Sequence, residues 1–395
     1  MSLTALKVQI VGGGIGGLTA ALCLARDGHS VDVFEQMQDF QAIGAGIQLS
    51  PNASRVLHDL GLQDAITAQA FLPEATEFRH WQSGRVIAET PLGLAAVERF
   101  GAPYYHIHRG DLLQLLVAAA RQQPRITLHT GARVTRVAQD KAGVSLQVGD
   151  IKHRAELMIG ADGVHSVIRA ALWGDEQPRF TGNVAWRALV PAERLPAGLI
   201  RPVSTVWWGP GKHFVHYYVR GGAFVNCVCV VEKLGWELES WTQPGDLAEL
   251  KADFAGWHPD IQPLIDQAVP NSLFKWALYD RAPMSRWGKG LVSLLGDACH
   301  PTLPFMAQGA AMAIEDAAVL AGSLARRGST VDNLQYYEAL RRPRTAKIQR
   351  GSRHNATTFH LSGAGAWLRD RAAGIAGQRV MDGLYRYDAL TAVGK

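Results

Sequence analysis

Three glycines near the start of the chain stand where the backbone could wrap a phosphate. Gly12, Gly14 and Gly17 have the spacing G-x-G-x-x-G and follow a short apolar run at residues 7–11. In such a turn the first glycine allows the bend, the second lets the backbone approach a pyrophosphate, and the third lets a helix pack on the strand. Glu35 ends the next predicted strand, where a carboxylate can accept two ribose hydroxyls. The pattern predicts a dinucleotide site without a 2′-phosphate; the alternative is a glycine-rich turn that holds no ligand.

Two later turns place an aspartate directly after a predicted buried strand. Asp162 lies in an Asp-Gly turn between a strand and a helix, where its side chain could also form an Asx-type turn without any ligand. Asp297 follows the apolar run 290–296 and precedes a proline-containing turn, and a helix is predicted to start at Gly309. The carboxylate of Asp297 can accept hydrogen bonds from sugar-like hydroxyls. The N-terminus of the following helix would stabilise a group that gains negative charge, as a reduced flavin does.

The elements that position these turns are predicted from apolar periodicity. In chain order the pattern predicts a strand at 7–11, a helix at 18–27, a strand at 31–34, β-rich blocks at 126–160 and 183–231, a helical stretch at 257–283, a strand at 290–296, a helix at 309–326 and helices from residue 336. The nucleotide-binding part is therefore in separate pieces with a β-rich insertion between them. Several tryptophans and other aromatic residues of the insertion predict an aromatic-walled pocket.

Composition limits the class of protein. The chain has 395 residues, of which 47% are hydrophobic and 19% charged, which is typical of a soluble globular protein and excludes a disordered chain or a coiled coil. The net charge of +5 is spread along the chain, so a small anionic ligand explains it as well as a nucleic acid. The four cysteines form no C-x-x-C pair and no apolar run approaches a membrane span. We expect a cytoplasmic protein that binds neither nucleic acid nor membrane.

The three motifs, in this order and at these separations, resemble those of the single-component FAD-dependent aromatic hydroxylases over essentially the whole chain. The resemblance implies an α/β fold with a discontinuous Rossmann-like FAD-binding domain, an inserted β-rich substrate domain and C-terminal helices. It also implies FAD as cofactor and NADH or NADPH as co-substrate. Carried over by position, the residues that contact FAD are Gly12, Gly14, Gly17, Glu35, Gln36, Arg109, Asp162, Asp297, Gly309 and Ala310.

Within this family, segments of the chain resemble hydroxylases of salicylate, 3-hydroxybenzoate and 6-hydroxynicotinate. Gln48 stands where the hydroxynicotinate enzymes have a histidine, and Pro304 where the 3-hydroxybenzoate enzymes have a glutamine, as in salicylate hydroxylases. No one of these is matched throughout, so the substrate stays open. Gln48, Pro304 and Tyr105 or its neighbour Tyr104 are the candidates for lining a substrate pocket.

His213 and Tyr217 are the candidate catalytic residues. They lie four residues apart on a predicted strand and therefore point to the same face, whereas His216 points to the other face. In the mechanism that the resemblance implies, a histidine with an ordinary pKa could accept the proton of a phenol. The alternative is a pair of amphipathic residues that face solvent or seal a core. Cys299 and His300 have no further ligand at metal-binding spacing, so no metal site is expected.

The resemblance also predicts domain bounds and an activity. The expected FAD-binding domain consists of residues 1–75, 100–180 and 285–350, the substrate domain of 76–99 and 181–284, and a C-terminal helical segment of 351–395. The expected reaction is the hydroxylation of a small phenolic aromatic acid by O2, through a flavin C4a-hydroperoxide, in a monomer or homodimer. An FAD oxidase or dehydrogenase of another small substrate, and a flavin-binding regulator without turnover, are the alternatives.

Overall fold

The computed structural model describes residues 5–40, 45–233, 235 and 243–394. The strands in this part of the chain are β1 Lys7–Val11, β2 Ser30–Phe34, β3 Gly46–Leu49, β4 Ala75–His80, β5 Val86–Pro91, β6 Tyr105–His108, β7 Ile126–His129, β8 Val134–Asp140, β9 Gly143–Val148, β10 Ile151–Ala155, β11 Leu157–Gly160, β12 Arg179–Pro191, β13 Ser204–Gly209, β14 Lys212–Val219, β15 Phe224–Glu232, β16 Phe274–Asp280 and β17 Val292–Leu294. The α-helices are α1 Ile15–Arg26, α2 Pro51–Asp59, α3 Gln63–Gln69, α4 Gly93–Phe100, α5 Arg109–Gln122, α6 Val167–Trp173, α7 Leu247–Asp253, α8 Ile261–Asp266, α9 Gly309–Leu324, α10 Thr330–Phe359 and α11 Gly363–Tyr385.

A five-stranded parallel sheet carries the glycine-rich turn. Its order is β17-β11-β1-β2-β7, and every neighbouring pair is parallel. Four of the five residues of β1 are buried, so its apolar run is continuous rather than alternating, as expected for a strand covered on both faces. The helix α1 follows at once and packs against α9. The predicted strand–helix–strand unit is confirmed, with the helix beginning at Ile15 rather than Leu18.

A seven-stranded sheet forms the second layer, in the order β16-β12-β15-β14-β13-β4-β5. Its pairs are antiparallel except for β13 and β4, which run parallel. One face packs on α7 and α8 through a core that includes Phe214, Phe254 and Trp257. The other face is turned towards a cavity that also contacts the ends of the five-stranded sheet. Together the two sheets confirm the predicted α/β fold with a β-rich insertion.

The predicted helical stretch at 257–283 is wrong over most of its length. Only Ile261–Asp266 forms an α-helix there, whereas Phe274–Asp280 is the edge strand β16, which pairs with β12. The apolar run around Trp276 fits either period, and its aromatic residues favour a strand once a partner strand is present. The strand predicted at 290–296 is shorter, because Gly290 and Gly296 have φ of 62° and 65° and turn the chain at its two ends.

The chain ends in two long helices. The 30-residue helix α10 packs against α9, and the domain bound predicted at residue 351 falls inside it. Helix α11 packs against β5 and lines the cavity along one side. Among the described helices, none combines the length and the apolar character that crossing a bilayer would require.

Candidate functional site

One cavity of about 1030 Å³ lies between the two sheets. At one end it is lined by backbone around Gly14, Ala161 and Asp297, which follow strands of the five-stranded sheet. At the other end it is lined by one face of the seven-stranded sheet. Ligands of open α/β sheets bind beyond the carboxyl ends of the strands, and this cavity is in that position.

The glycine-rich turn at the first end depends on its three glycines in two ways. At Gly12 and Gly17 a side chain would clash with neighbouring backbone, whereas at Gly14 the missing side chain leaves space for a ligand. Gly12 has φ of 106°, and a Cβ there would lie 2.3 Å from the carbonyl oxygen of Ala161. A Cβ on Gly17 would lie 2.0 Å from the carbonyl oxygen of Gly12, so the helix could not approach the turn. Gly14 has no heavy atom within 4 Å of its Cβ position and lines the cavity, so its backbone is open to a ligand. This arrangement fits a pyrophosphate at the N-terminus of α1.

Glu35 is fixed beside this turn by two backbone groups. Its Oε2 accepts a hydrogen bond of 2.8 Å from the N–H of Gly13, and its Oε1 accepts one of 2.9 Å from the N–H of Met37. A carboxylate has about four acceptor positions, so two remain for ribose hydroxyls. Gln36 is exposed next to it and does not line the cavity.

The Asp162 side chain hydrogen-bonds to the start of helix α6. Such bonds, like those of an Asx-type turn, need no ligand. Its Oδ1 accepts a hydrogen bond of 2.5 Å from the hydroxyl of Ser166, and its Oδ2 accepts one of 3.1 Å from the N–H of Ile168 in α6. The cavity is lined instead by its neighbours Ala161 and Gly163. These hydrogen bonds give the Asp162 side chain a role in holding the turn in shape, and its predicted contact with FAD stays a prediction.

The turn at Asp297 and the start of α9 line the same end of the cavity. Asp297 is exposed to the cavity. Desolvation by the surrounding protein raises the pKa of its carboxyl, and the nearby His300 and Arg109 act in the opposite direction. Gly309 and Ala310, the first residues of α9, line the same region. A 16-residue helix directs its N-terminal N–H groups here, which favours negative charge at this point. Arg109, at the start of α5, adds a cation to the wall.

The end of the cavity at the seven-stranded sheet is apolar and aromatic. Strand alternation sends Trp208 into it, whereas Trp186 and Trp207 are buried in the core on the other face, so only part of the predicted aromatic cluster reaches the pocket. Apolar side chains from β4, β16, the turn before α9 and the end of α10 complete the wall, namely Phe78, Trp276, Leu278, Leu303, Phe305 and Phe359.

Of the two neighbouring tyrosines, Tyr104 lines the cavity, so the prediction of Tyr105 is wrong. The Tyr105 hydroxyl lies 3.1 Å from His58 Nε2 and 3.0 Å from Thr67 Oγ1, on the side of β6 that faces α2 and α3. Adjacent residues of an extended chain point to opposite sides, and the sequence left open which side faced the cavity. Tyr104 donates a hydrogen bond of 2.6 Å to Gln48 Oε1, and Gln48 Nε2 donates one of 3.1 Å to Ser204 Oγ. Gln48, with Tyr104 and Ser204, forms a polar wall.

His213 and Tyr217 both line the cavity, as strand alternation predicts. His216 lies on the other face, where its Nε2 accepts a hydrogen bond of 3.0 Å from Trp207 Nε1. Burial and the neighbouring His360 hold the pKa of His213 well below its ordinary value, and burial raises the pKa of Tyr217. Both side chains are therefore neutral at pH 7. The predicted Pro304 also lines this end, in a 3₁₀ turn.

Arg187 is a cavity residue that the sequence did not predict. It lies on β12 with its guanidinium 4.5 Å from the ring centroid of Trp276. Burial lowers its pKa to about 10, which leaves it charged at neutral pH. The available signal was a single arginine in the mostly apolar run at residues 183–190 of β12, a position that requires a partner of opposite charge or a functional reason.

A buried ionic cluster lies behind the Asp297 turn. Asp316 accepts hydrogen bonds from the N–H of Gly296 at 3.1 Å and from Arg341 Nε at 2.7 Å, and lies 2.5 Å from His300 Nε2. Its potential ligand atom and those of Cys299 and His300 are within 4.8 Å of one another. Because a guanidinium already neutralises the carboxylate, the arrangement favours an ion-pair network over a metal site.

These features define a flavoprotein oxidoreductase. The glycine-rich turn and the turn at Asp297 form a dinucleotide cradle at one end of the cavity, and the aromatic face of the seven-stranded sheet forms an aromatic chamber at the other. The profile of a family described as FAD binding domain matches residues 5–352. The chain is 41% identical over 371 residues to 3-amino-4-hydroxybenzoate 2-monooxygenase PtnB3 of Streptomyces platensis, covering 93% of this chain and 92% of that one. It is 40% identical to 6-hydroxynicotinate 3-monooxygenase of Pseudomonas fluorescens, covering 88% and 91%. A crystal structure of Klebsiella pneumoniae HpxO with FAD and uric acid superimposes with a TM-score of 0.85 at 29% identity, covering 99% and 98%.

The chain belongs to the FAD-dependent aromatic hydroxylases. Its cofactor is FAD and its co-substrate is NAD(P)H, as the sequence predicted. The residues present fit FAD: an open Gly14 and the fixed carboxylate of Glu35 at the glycine-rich turn, and Asp297 with the N-terminus of α9 at the same end of the cavity. The individual contacts stay predictions.

Asp297→Ala is expected to weaken FAD binding roughly tenfold to a hundredfold, the size expected for a lost hydrogen bond to a charged group. The carboxylate faces the cavity, so its removal deletes an acceptor for the ribityl hydroxyls without opening the core. The measurement is the flavin content of the purified protein and the dissociation constant from fluorescence quenching. Asp150→Ala, at an exposed turn, is the control. A variant that keeps wild-type affinity would exclude this role.

Proposed function

We propose that the protein hydroxylates a small aromatic acid that carries a ring hydroxyl, such as a hydroxybenzoate, aminohydroxybenzoate or hydroxynicotinate. The observation that carries the proposal is the shared cavity in which the dinucleotide cradle opens onto an aromatic chamber with His213 and Tyr217 in its wall. Aromatic walls hold a flat ring, and a few polar groups fix its orientation. Relatives at about 40% identity are named for reactions on such acids.

The charge of the chamber suits an aromatic carboxylate. Arg187 lies in the wall beside Trp276, and Arg109 lies further along the same cavity. A guanidinium binds a carboxylate through two parallel hydrogen bonds, which orients the ring as well as holding it. We infer that Arg187 binds the substrate carboxylate and that Arg109 contacts the cofactor.

The polar residues of the chamber supply proton transfer and positioning. Bound FAD supplies the redox chemistry, by taking electrons from NAD(P)H and activating O2. His213 is neutral and can accept the proton of the ring hydroxyl, which makes the ring electron-rich. Tyr217, Gln48 and Tyr104 offer hydrogen bonds at the ring edge. The apolar walls keep water from the reacting atoms.

The finer expectations belong to the same proposal. We propose that the five-stranded sheet is the core of the FAD-binding domain and the seven-stranded sheet that of the substrate domain, and that Pro304 and Gln48 line the substrate pocket. A monomeric or homodimeric state, a cytoplasmic location, and no binding of nucleic acid or membrane are further predictions. A size-exclusion measurement with light scattering tests the oligomeric state.

A panel of hydroxybenzoates, aminohydroxybenzoates and hydroxynicotinates tests the activity. We expect at least one acid to stimulate NADH or NADPH oxidation roughly tenfold or more, because substrate binding energy is used to assemble the reacting groups. The matched control is the same ring without its hydroxyl, which should stimulate little. An FAD oxidase would instead be reduced directly by its substrate, without NAD(P)H. A flavin-binding regulator would show no stimulation by any compound.

A further inference from the structure

A line of three titratable side chains leads from the cavity to the protein surface. His213 Nδ1 lies 2.8 Å from His360 Nε2, and His360 Nδ1 lies 2.8 Å from Glu232 Oε1. The His360 side chain is 2% exposed, whereas that of Glu232 is 55% exposed. The three residues come from β14, the C-terminal end of α10 and the end of β15. One end of the line is therefore in the chamber and the other is in solvent.

The carboxylate fixes the direction of every hydrogen bond in this line. An ionised glutamate only accepts, so His360 Nδ1 carries the hydrogen that it donates to Glu232. In a neutral ring the other nitrogen is then an acceptor, so His360 Nε2 accepts from His213 Nδ1–H. His213 Nε2 is left with its lone pair, and it has no hydrogen-bond partner among the described residues. The geometry prepares this nitrogen to accept a proton from a molecule in the cavity.

We propose that His213, His360 and Glu232 form a proton relay that carries the proton of the substrate's ring hydroxyl to solvent; this rests on the proposed function. The O–H bond of the substrate breaks and the proton binds His213 Nε2. The Nδ1 proton of His213 passes to His360 Nε2, and the Nδ1 proton of His360 passes to Glu232 and then to water. One proton leaves, the substrate becomes a phenolate, and no electrons are transferred. Return of a proton along the same path to the product oxygen restores both tautomers.

The buried surroundings of the two histidines disfavour a lasting positive charge on either ring, so a proton is passed on rather than held. The His213 ring lies 5.1 Å from Phe305 and 5.4 Å from Phe359, centroid to centroid. Burial lowers the pKa of both histidines; Glu232 opposes this at His360, and Arg369 of α11 reinforces it. The charged groups that face the relay are thus Glu232 at its outer end and Arg369 beside His360. An imidazolium is costly at either ring, so a proton that enters at one nitrogen leaves from the other.

A spectroscopic experiment tests the direction of the line without any substrate. Nitrogen-15 spectra of histidine-labelled, FAD-loaded enzyme should show both rings neutral with the hydrogen on Nδ1 at pH 7. His213→Gln and His360→Gln assign the two signals. Glu232→Ala should remove the tautomer preference of His360. A wild-type His213 that carries its hydrogen on Nε2 would overturn the relay, because that nitrogen could not accept a proton.

A kinetic experiment tests passage of the proton. FAD-loaded enzyme is mixed with a hydroxylated aromatic acid in weak buffer, and a pH indicator reports proton release in a stopped-flow instrument. We expect His360→Gln and Glu232→Gln each to slow release by at least about tenfold, since proton transfer by positioned groups contributes at least that much. Glu193→Gln, at an exposed glutamate in the 3₁₀ turn after β12, is the matched control. Wild-type release rates in both relay variants would overturn the proposal.

Two further comparisons are needed. The first distinguishes a relay from a merely structural role of His360 and Glu232, and the second distinguishes a failure of the relay from a failure of the proposed function. The methoxy analogue of the same acid has no proton to release, so its affinity should be unchanged in His360→Gln and Glu232→Gln. Weakened binding of that analogue would assign the residues a structural role and overturn the relay. Proton release in the wild type without any hydroxylated product would contradict the proposed function while leaving the relay supported.

Discussion

Replacing Arg341 with methionine is expected to lower the free energy of unfolding at pH 7 by about 3–5 kcal/mol, the cost of leaving buried charges unpaired. Arg341 lies fully buried between two carboxylates that are also fully buried: its Nη2 is 2.6 Å from Glu315 Oε2 and its Nε is 2.7 Å from Asp316 Oδ1. The substitution keeps much of the side-chain volume, so the loss is electrostatic. Urea unfolding followed by tryptophan fluorescence measures it.

Arg342→Met is the matched control, one residue further along the same helix. Its side chain is 43% exposed and lies 3.3 Å from Glu338, so its loss should cost less than about 1 kcal/mol. If Arg341→Met costs no more than this control, the buried cluster does not hold α9 against the Asp297 turn. Other contacts would then have to position that turn.

The difference in unfolding free energy between Arg341→Met and the wild type should change with pH in one direction. Burial opposes ionisation of Asp316, but His300 and Arg341 lower its pKa to about 2. An unfolded aspartate has a pKa of about 3.9, so this carboxylate stabilises the wild type above that pH and ceases to do so as the pH falls towards 2. In Arg341→Met, Asp316 keeps its contact with His300 and Glu315 keeps Arg344, but both have lost a cationic partner, so protonation costs the variant less stability than it costs the wild type. The difference in stability between variant and wild type should therefore narrow as the pH is lowered from 7.

His213→Ala is expected to slow hydroxylation by about a hundredfold or more while leaving FAD content and flavin reduction by NAD(P)H near wild type. The range for a lost general base is about 10²–10⁴-fold. His213 is the first member of the line to the surface and faces the chamber, away from the glycine-rich turn. Rapid-mixing measurements that separate flavin reduction from product formation provide the test.

His216→Ala is the matched control for His213→Ala on the same strand. Its side chain is buried on the opposite face against Trp207, so it should cost stability and leave the hydroxylation rate per flavin nearly unchanged. Tyr217→Phe should show a smaller defect of the same kind, because Tyr217 shares the face of His213. Coupled product formation at the wild-type rate in His213→Ala would refute its role as the proton acceptor.

The parts of the site that are local in sequence could be predicted. The spacing of Gly12, Gly14 and Gly17 is a pattern within one turn, although Ala161 of another turn limits the space at Gly12, and the turn that carries Asp297 is built from consecutive residues. Strand alternation placed His213 and Tyr217 on one face of the strand, and that face lines the cavity. In each of these cases the chemistry depends on spacing along a single element.

The parts that depend on packing between elements could not be predicted. The sequence does not decide between Tyr104 and Tyr105, because the orientation of this segment against α2 depends on packing between elements. Residues 274–280 pair with β12, which lies far away in sequence, and this pairing decided between strand and helix. His360 meets His213 only because the end of α10 reaches the seven-stranded sheet. No local pattern marks such a contact.

Oxygen-18 labelling tests the central claim most directly. The FAD-loaded enzyme is supplied with NADH, labelled O2 and the aromatic acid that most stimulates NADH oxidation, and the product is identified by mass. We expect one additional ring hydroxyl per NADH consumed, with its oxygen derived from O2. Hydrogen peroxide as the sole oxygen-derived product across the whole panel, or a product oxygen derived from water, would contradict hydroxylation by this enzyme.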